Sequence, residues 1–110
     1  MMLTKQRAAM AVAGLNDQLK RRFGDKVSLY LFGSVARGDF GSESDIDVLV
    51  LFDGKLTREV EKEIMEAAFN IELEDDVVFG LMIETKGDWQ TPLFCAMPIH
   101  KVIDEEGVLV

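Results

Sequence analysis

The sequence predicts an α/β (α+β) fold: a small mixed β-sheet with helices packed on it, in one domain over residues 1–110. Three observations carry that expectation. Apolar residues recur at helical spacing near the start and again in the middle of the chain. Three short runs rich in β-branched and aromatic residues read as strands. Between the first two of these runs lies a segment of Gly and Ser that has no period at all.

Taken in order, residues 4–23 place Ala8, Val12, Leu15, Leu19 and Phe23 at three- and four-residue steps, a helix for which Gly24 is a natural stop. VSLYLF (27–32) reads as a buried strand closed by Gly33. GSVARGDFGSES (33–44) reads as neither helix nor strand. DIDVLVLF (45–52) is a second strand, followed by an Asp53-Gly54 turn. Thr57 caps a second long helix, with Glu59 and Glu61 in its first turn and Val60, Ile64, Ala67, Ala68 and Ile71 on its apolar face. VVFGLMI (77–83) is the third strand. Residues 84–97 read as a loop anchored by Trp89. Pro98 opens a short helix (98–106) that ends at Gly107, and VLV (108–110) forms a last strand or tail. The order is α-β-β-α-β-α-(β).

Composition excludes several classes. A 48% hydrophobic fraction is too high for a disordered chain. No apolar run approaches the roughly 18 residues of a membrane-spanning helix. The start, MMLTKQRAAMAV, carries charge where a signal peptide needs its apolar core, and the single Cys95 fits a reducing compartment, so a cytoplasmic location is expected. The net charge of −8 opposes direct nucleic-acid binding through phosphate neutralisation. That average hides a division. Residues 1–38 hold seven basic groups against two acids, a net +5, whereas residues 39–110 hold five against eighteen, a net −13.

The change of sign falls within LFGSVARGDFGSESDIDVLV (31–50), where the chemistry is concentrated. Asp45 and Asp47, two apart at a strand start, share a face with Cα atoms about 6.6–7 Å apart. Left alone they repel, and a hard divalent cation such as Mg²⁺ or Mn²⁺ removes the repulsion. Two such ions roughly 3.5–4 Å apart can clamp the attacking and leaving oxygens of a phosphoryl centre. Gly33 lets the backbone approach a phosphate, Ser34 adds a hydroxyl, and Arg37 offers a guanidinium for bidentate phosphate contact. Gly38 and Gly41 let the chain turn back so that the two halves face each other. The segment is not a Walker loop, because no Gly-Lys-Ser/Thr follows, and it contains no G-x-G-x-x-G.

Gly33-Ser34, ten residues, then Asp45-x-Asp47, with Ala36, Arg37, Gly38 and Ser44 between, resembles the signature of the DNA polymerase β-like nucleotidyltransferase superfamily. The length resembles its minimal (MNT) members, and the α-β-β-α-β core and the ending EEGVLV extend the likeness loosely over most of the chain. The resemblance implies transfer of a nucleoside monophosphate, AMP by preference, from ATP or another NTP to a hydroxyl, with release of pyrophosphate. It implies Asp45 and Asp47 as metal ligands and catalytic residues, and Gly33, Ser34, Arg37 and Ser44 as nucleotide-binding residues. It also implies a HEPN-type protein partner in a toxin–antitoxin module, the MNT protein acting as an antitoxin that adenylylates the toxin.

The superfamily pattern includes a third carboxylate on the next strand. The middle of that strand, Val77 to Ile83, holds no acid, so Asp76 at its start is the expected third catalytic residue, with Glu84 and Glu74 as alternatives. Should none reach the site, the expectation becomes a weak or inactive nucleotide-binding module that neutralises its partner by contact. An antibiotic nucleotidyltransferase is a third reading, opposed by the absence of room for a drug-binding domain. Elsewhere, His100 is expected in a surface or packing role, Cys95 as a buried thiol without a neighbouring base, and Glu59, Glu61, Glu63 and Glu66 as a solvated helix face. Phe40 is expected to pack or to contact a base.

Overall fold

A computed structural model describes residues 2–110. Helix α1 (Lys5–Phe23) begins where Thr4 accepts a hydrogen bond from the Arg7 N–H at 3.1 Å and stops at Gly24, whose φ is +60°. Lys20, Arg21 and Arg22 occupy its last turn, where the exposed carbonyls favour cations. One 3₁₀ turn leads into β1 (Val27–Phe32), and β2 (Ile46–Phe52) pairs antiparallel with it, Phe32 opposite Asp47. Between them, Gly33–Arg37 forms the single helical turn α2. Thr57 caps α3 (Arg58–Asp75) by accepting from the Val60 N–H, and α3 carries the chain over to β3 (Phe79–Thr85), parallel to β2. The last strand, β4 (Val108–Leu109), adds antiparallel to the other edge of β1, so the sheet order is β3-β2-β1-β4. The mixed sheet with packed helices is the expected class.

Alternation along the strands makes two apolar layers. One face presents Val27 and Leu29, then Ile46, Val48 and Val50, and Phe79 to the stripe Ala8, Ala11, Val12, Leu15 and Leu19 of α1 and to Ile64, Ala67, Ala68 and Ile71 of α3. The other face carries Phe32, Leu49 and Leu51, covered by Trp89 and Ile103. Asp47 belongs to this second face, one step before Leu49. No helix among the described residues is long and apolar enough to cross a membrane.

Three elements differ from expectation. Residues 33–44 are not wholly irregular, because they open with α2, which is closed by Gly38 in the left-handed conformation. The third strand starts at 79 rather than 77, because termination of α3 occupies the intervening residues. Asp76 takes a left-handed conformation there, and the Glu72 carboxylate accepts from the Phe79 N–H at 2.9 Å. Residues 84–97 are not a loop. They form α4 (Lys86–Trp89) and α5 (Pro92–Cys95), capped by Thr85 and Thr91, before α6 (Pro98–Glu106). This arrangement buries Trp89 and His100 and leaves Cys95 exposed, which corrects the buried thiol.

Candidate active site

The two halves of the Gly/Ser–Asp segment meet where β1 ends and β2 begins. Gly33 has φ +75°, a conformation that an L side chain adopts only with strain, and it turns the chain directly from β1 into α2. No side chain caps the start of α2, so its first-turn N–H groups have no partner within the helix. Ser34 lies in that turn and is half-buried. At the head of β2, the Ile46 N–H donates to the Val78 carbonyl at 2.8 Å, which fixes the strand between the exposed Asp45 and the half-buried Asp47.

Asp47 is held between two backbones. A Cβ built on Gly33 would overlap its Oδ2, and a Cβ on Gly80, the residue paired with it on β3, would stand 2.5 Å from its Oδ1. Neither neighbour can carry a side chain without displacing the carboxylate. Burial pushes the Asp47 carboxyl above the usual range, the charge of Asp45 adds to that rise, and Arg37 opposes it. Two carboxylates, one of them partly desolvated and repelled by the other, form a hard-oxygen donor set that suits Mg²⁺ or Mn²⁺.

Arg37 is exposed and donates to Asp39 at 3.2 Å and to Glu106 at 3.3 Å, contacts that raise its own pKa. Its charge is felt at Asp47, so the structure brings Gly33, Arg37, Asp45 and Asp47 into one neighbourhood. The Ser44 hydroxyl accepts from the Gly41 N–H at 2.8 Å and closes the loop before Asp45, which leaves its own O–H as a donor. Phe40 packs against the larger apolar layer.

Asp76 is a correction. Its φ of 54° ends α3, and its carbonyl accepts from Arg7 at 2.9 Å beside α1, in a cleft shared with Met10, Glu74 and Asp75. Among the described residues no three His, Cys, Asp or Glu side chains gather closely enough to hold a metal, so neither Asp76 nor Glu74 joins the Asp45–Asp47 pair. Glu84 shares the Asp47 face of the sheet but pairs opposite Leu51, four residues along, about 13 Å away at strand rise. Its carboxyl is pushed up by burial and by Asp88. Sequence reasoning missed Gly80. The available signal was an isolated glycine inside a strand pattern, which marks a close backbone approach.

Residues 12–97 match the family model described as a nucleotidyltransferase domain. The chain belongs to that family. A protein of Methanocaldococcus jannaschii named for protein adenylyltransferase activity is 36% identical over 72 residues, spanning 66% of this chain and 66% of its own length, just under two thirds. Among solved structures, one described as a nucleotidyltransferase, from Sulfolobus solfataricus, superposes with a TM-score of 0.58 at 21% identity, covering 96% of this chain and 80% of that one. A toxin–antitoxin structure with AMP-PNP gives 0.55 at 20% identity, covering 97% and 72%. A mutant of the toxin–antitoxin pair MntA–HpeT gives 0.55 at 18%, covering 97% and 72%. These structural likenesses bear on the fold, and they agree with the nucleotidyltransferase architecture read from the strands.

Proposed function

We propose that this protein transfers a nucleoside monophosphate, AMP by preference, from an NTP to a hydroxyl on a partner protein. The observation that carries the reading is the Asp47 carboxylate, fitted between Gly33 and Gly80 beside Asp45 and facing the turn into α2. Such a fit serves a carboxylate whose position matters more than its contribution to stability. In the reaction the acceptor hydroxyl gives up its proton to solvent as its oxygen forms a bond to the α-phosphorus, the bond to the β-phosphate oxygen breaks, and pyrophosphate leaves. Asp45 and Asp47 are the residues that would hold Mg²⁺ or Mn²⁺. Bound there, the cation offsets the negative charge of the carboxylates and of the triphosphate. Gly33 and Ser34, at the start of α2, supply donors for phosphate oxygens, and Arg37 supplies a cation once released from Glu106.

The M. jannaschii relative supports a protein acceptor and adenylyl transfer, and the toxin–antitoxin neighbours support a toxin as that acceptor, with a HEPN-type protein as the first candidate. Incubation with labelled ATP, Mg²⁺ and the product of the adjoining gene tests the reading. Label moves to the partner with wild type and not with Asp45→Asn or Asp47→Asn. Equal labelling by these variants, or none by wild type, overturns it.

One observation favours a second reading, neutralisation of a partner by contact: no third acid joins the Asp45–Asp47 pair among the described residues. Neutralisation that survives Asp45→Asn unchanged, with no label transferred by wild type, supports that reading over the enzyme.

A further inference from the structure

Outside the transfer site, Cys95, His100 and Asp104 line a cavity of about 500 Å³ walled by Tyr30, Leu49, Leu51 and Trp89. His100 is only 9% exposed and its ring stacks on Trp89, centroids 4.4 Å apart and planes 21° from parallel. Its Nδ1 lies 3.0 Å from Asp104 Oδ2. Its Nε2 lies 3.7 Å from Cys95 Sγ and 3.0 Å from the Trp89 carbonyl oxygen. Cys95 itself is an exposed residue.

We propose that Cys95 is a reactive thiol, with His100 as its proton acceptor and Asp104 positioning His100, that forms mixed disulfides with low-molecular-weight disulfides. The geometry around the ring carries this. A carbonyl oxygen and a carboxylate can only accept, and each faces one ring nitrogen at hydrogen-bond distance. With Nδ1–H directed at Asp104, Nε2 carries no proton, and the Trp89 carbonyl has no donor from the ring and only the Cys95 thiol, 3.9 Å away, to donate to it. Once Nε2 takes the thiol proton, Nε2–H donates to the Trp89 carbonyl and Nδ1–H to Asp104, so both acceptors are satisfied. A ring nitrogen within reach of the sulfur, with an acceptor waiting for each ring N–H once the proton has moved, is the arrangement a thiol nucleophile requires.

The step balances. Sγ attacks one sulfur of the disulfide, a new Sγ–S bond forms as the old S–S bond breaks, and the electron pair leaves on the departing thiolate. Cys95 is oxidised, the departing sulfur is reduced, and His100 retains the proton. The cavity beside Sγ receives the group that remains attached.

Cys95 is the sole cysteine, so release of the coloured thiolate from 5,5′-dithiobis(2-nitrobenzoate) reports on one site. At neutral pH the folded protein should react at least about tenfold faster than the same chain unfolded in urea. His100→Gln should remove that advantage. Asp104 is exposed, so Asp104→Asn tests the arrangement without unfolding risk: it should slow the reaction several-fold, and Asp104→Glu should restore it. A folded protein no faster than the unfolded chain overturns the proposal, as does an Asp104→Asn rate equal to wild type. If His100→Gln fails to fold, the Asp104 pair decides.

Discussion

Replacing Gly80 with alanine perturbs the Asp47 carboxylate without replacing any charged residue. The new Cβ would stand 2.5 Å from Oδ1 and 3.6 Å from Cγ, whereas ordinary contacts begin near 3.4 Å, so the oxygen must retreat by about 0.9 Å. Retreat across the strand leads toward the Gly33 backbone, where Oδ2 already fills the space of a side chain. The carboxylate therefore leaves its place or pushes β1 and β3 apart. Misplacing a reacting or ligating group by about 1 Å costs on the order of 10²-fold in rate. The stability cost is smaller: crowding of this kind costs about 1–3 kcal/mol, and removing a glycine from a strand interior returns about 0.5–1 kcal/mol. A net loss of up to about 2.5 kcal/mol leaves a domain of ordinary stability folded. Calorimetric titration with Mg²⁺·ATP, nucleotidyl transfer followed in parallel and thermal unfolding separate the two effects. We expect a folded variant that binds Mg²⁺·ATP weakly and transfers at least about tenfold more slowly. Wild-type binding and transfer by Gly80→Ala refute the idea that the glycine pair sets the carboxylate.

Other outcomes follow from the same geometry. Burial and Asp45 raise the Asp47 carboxyl in the folded state, so the folded chain holds this proton more tightly than the unfolded one; stability from this group falls as pH rises from about 3.8 through the raised value. Asp47→Asn should therefore unfold at a higher temperature than wild type at neutral pH in chelator, while losing the thermal shift that Mg²⁺ gives wild type. Equal melting of the two in chelator contradicts the sign. Arg37→Ala breaks only exposed pairs to Asp39 and Glu106 and should leave thermal unfolding essentially unchanged. Its affinity for Mg²⁺·ATP should drop about tenfold, the loss of one phosphate-binding guanidinium; unchanged affinity in a nucleotide titration removes Arg37 from the site. Leu15→Ala empties a fully buried position between α1 and the sheet and should cost about 2–5 kcal/mol in urea unfolding.

Most of the architecture was legible from pattern alone, because each long element buries one face and so writes its period into the chain. The helix over 98–106 and the strand over 27–32 have the bounds expected of them, and Thr4 and Thr57 cap the two long helices through their side-chain oxygens. Residues 84–97 were harder to read, because four-residue helices are too short to show a period. Their Thr85 and Thr91 caps, with Pro92 at a helix start, were the only local signs.

At the site, the sequence by itself determined the chemistry of the donors: two carboxylates two apart on a strand, a Gly-Ser turn ten residues before them, and an arginine between. These are local relations, and strand geometry and glycine stereochemistry hold wherever the chain folds. Only the tertiary structure decided what stands opposite Asp47. Pairing β3 parallel to β2 sets Gly80, not an acid, against that carboxylate, and the left-handed turn at Asp76 ends α3 beside Arg7 instead of extending β3. It likewise assembled Cys95, His100 and Asp104 around Trp89, a grouping that depends on how α5 and α6 pack against the sheet. Register between strands and the packing of short helices are long-range choices, made by the sum of many contacts, and no single stretch of sequence carries them.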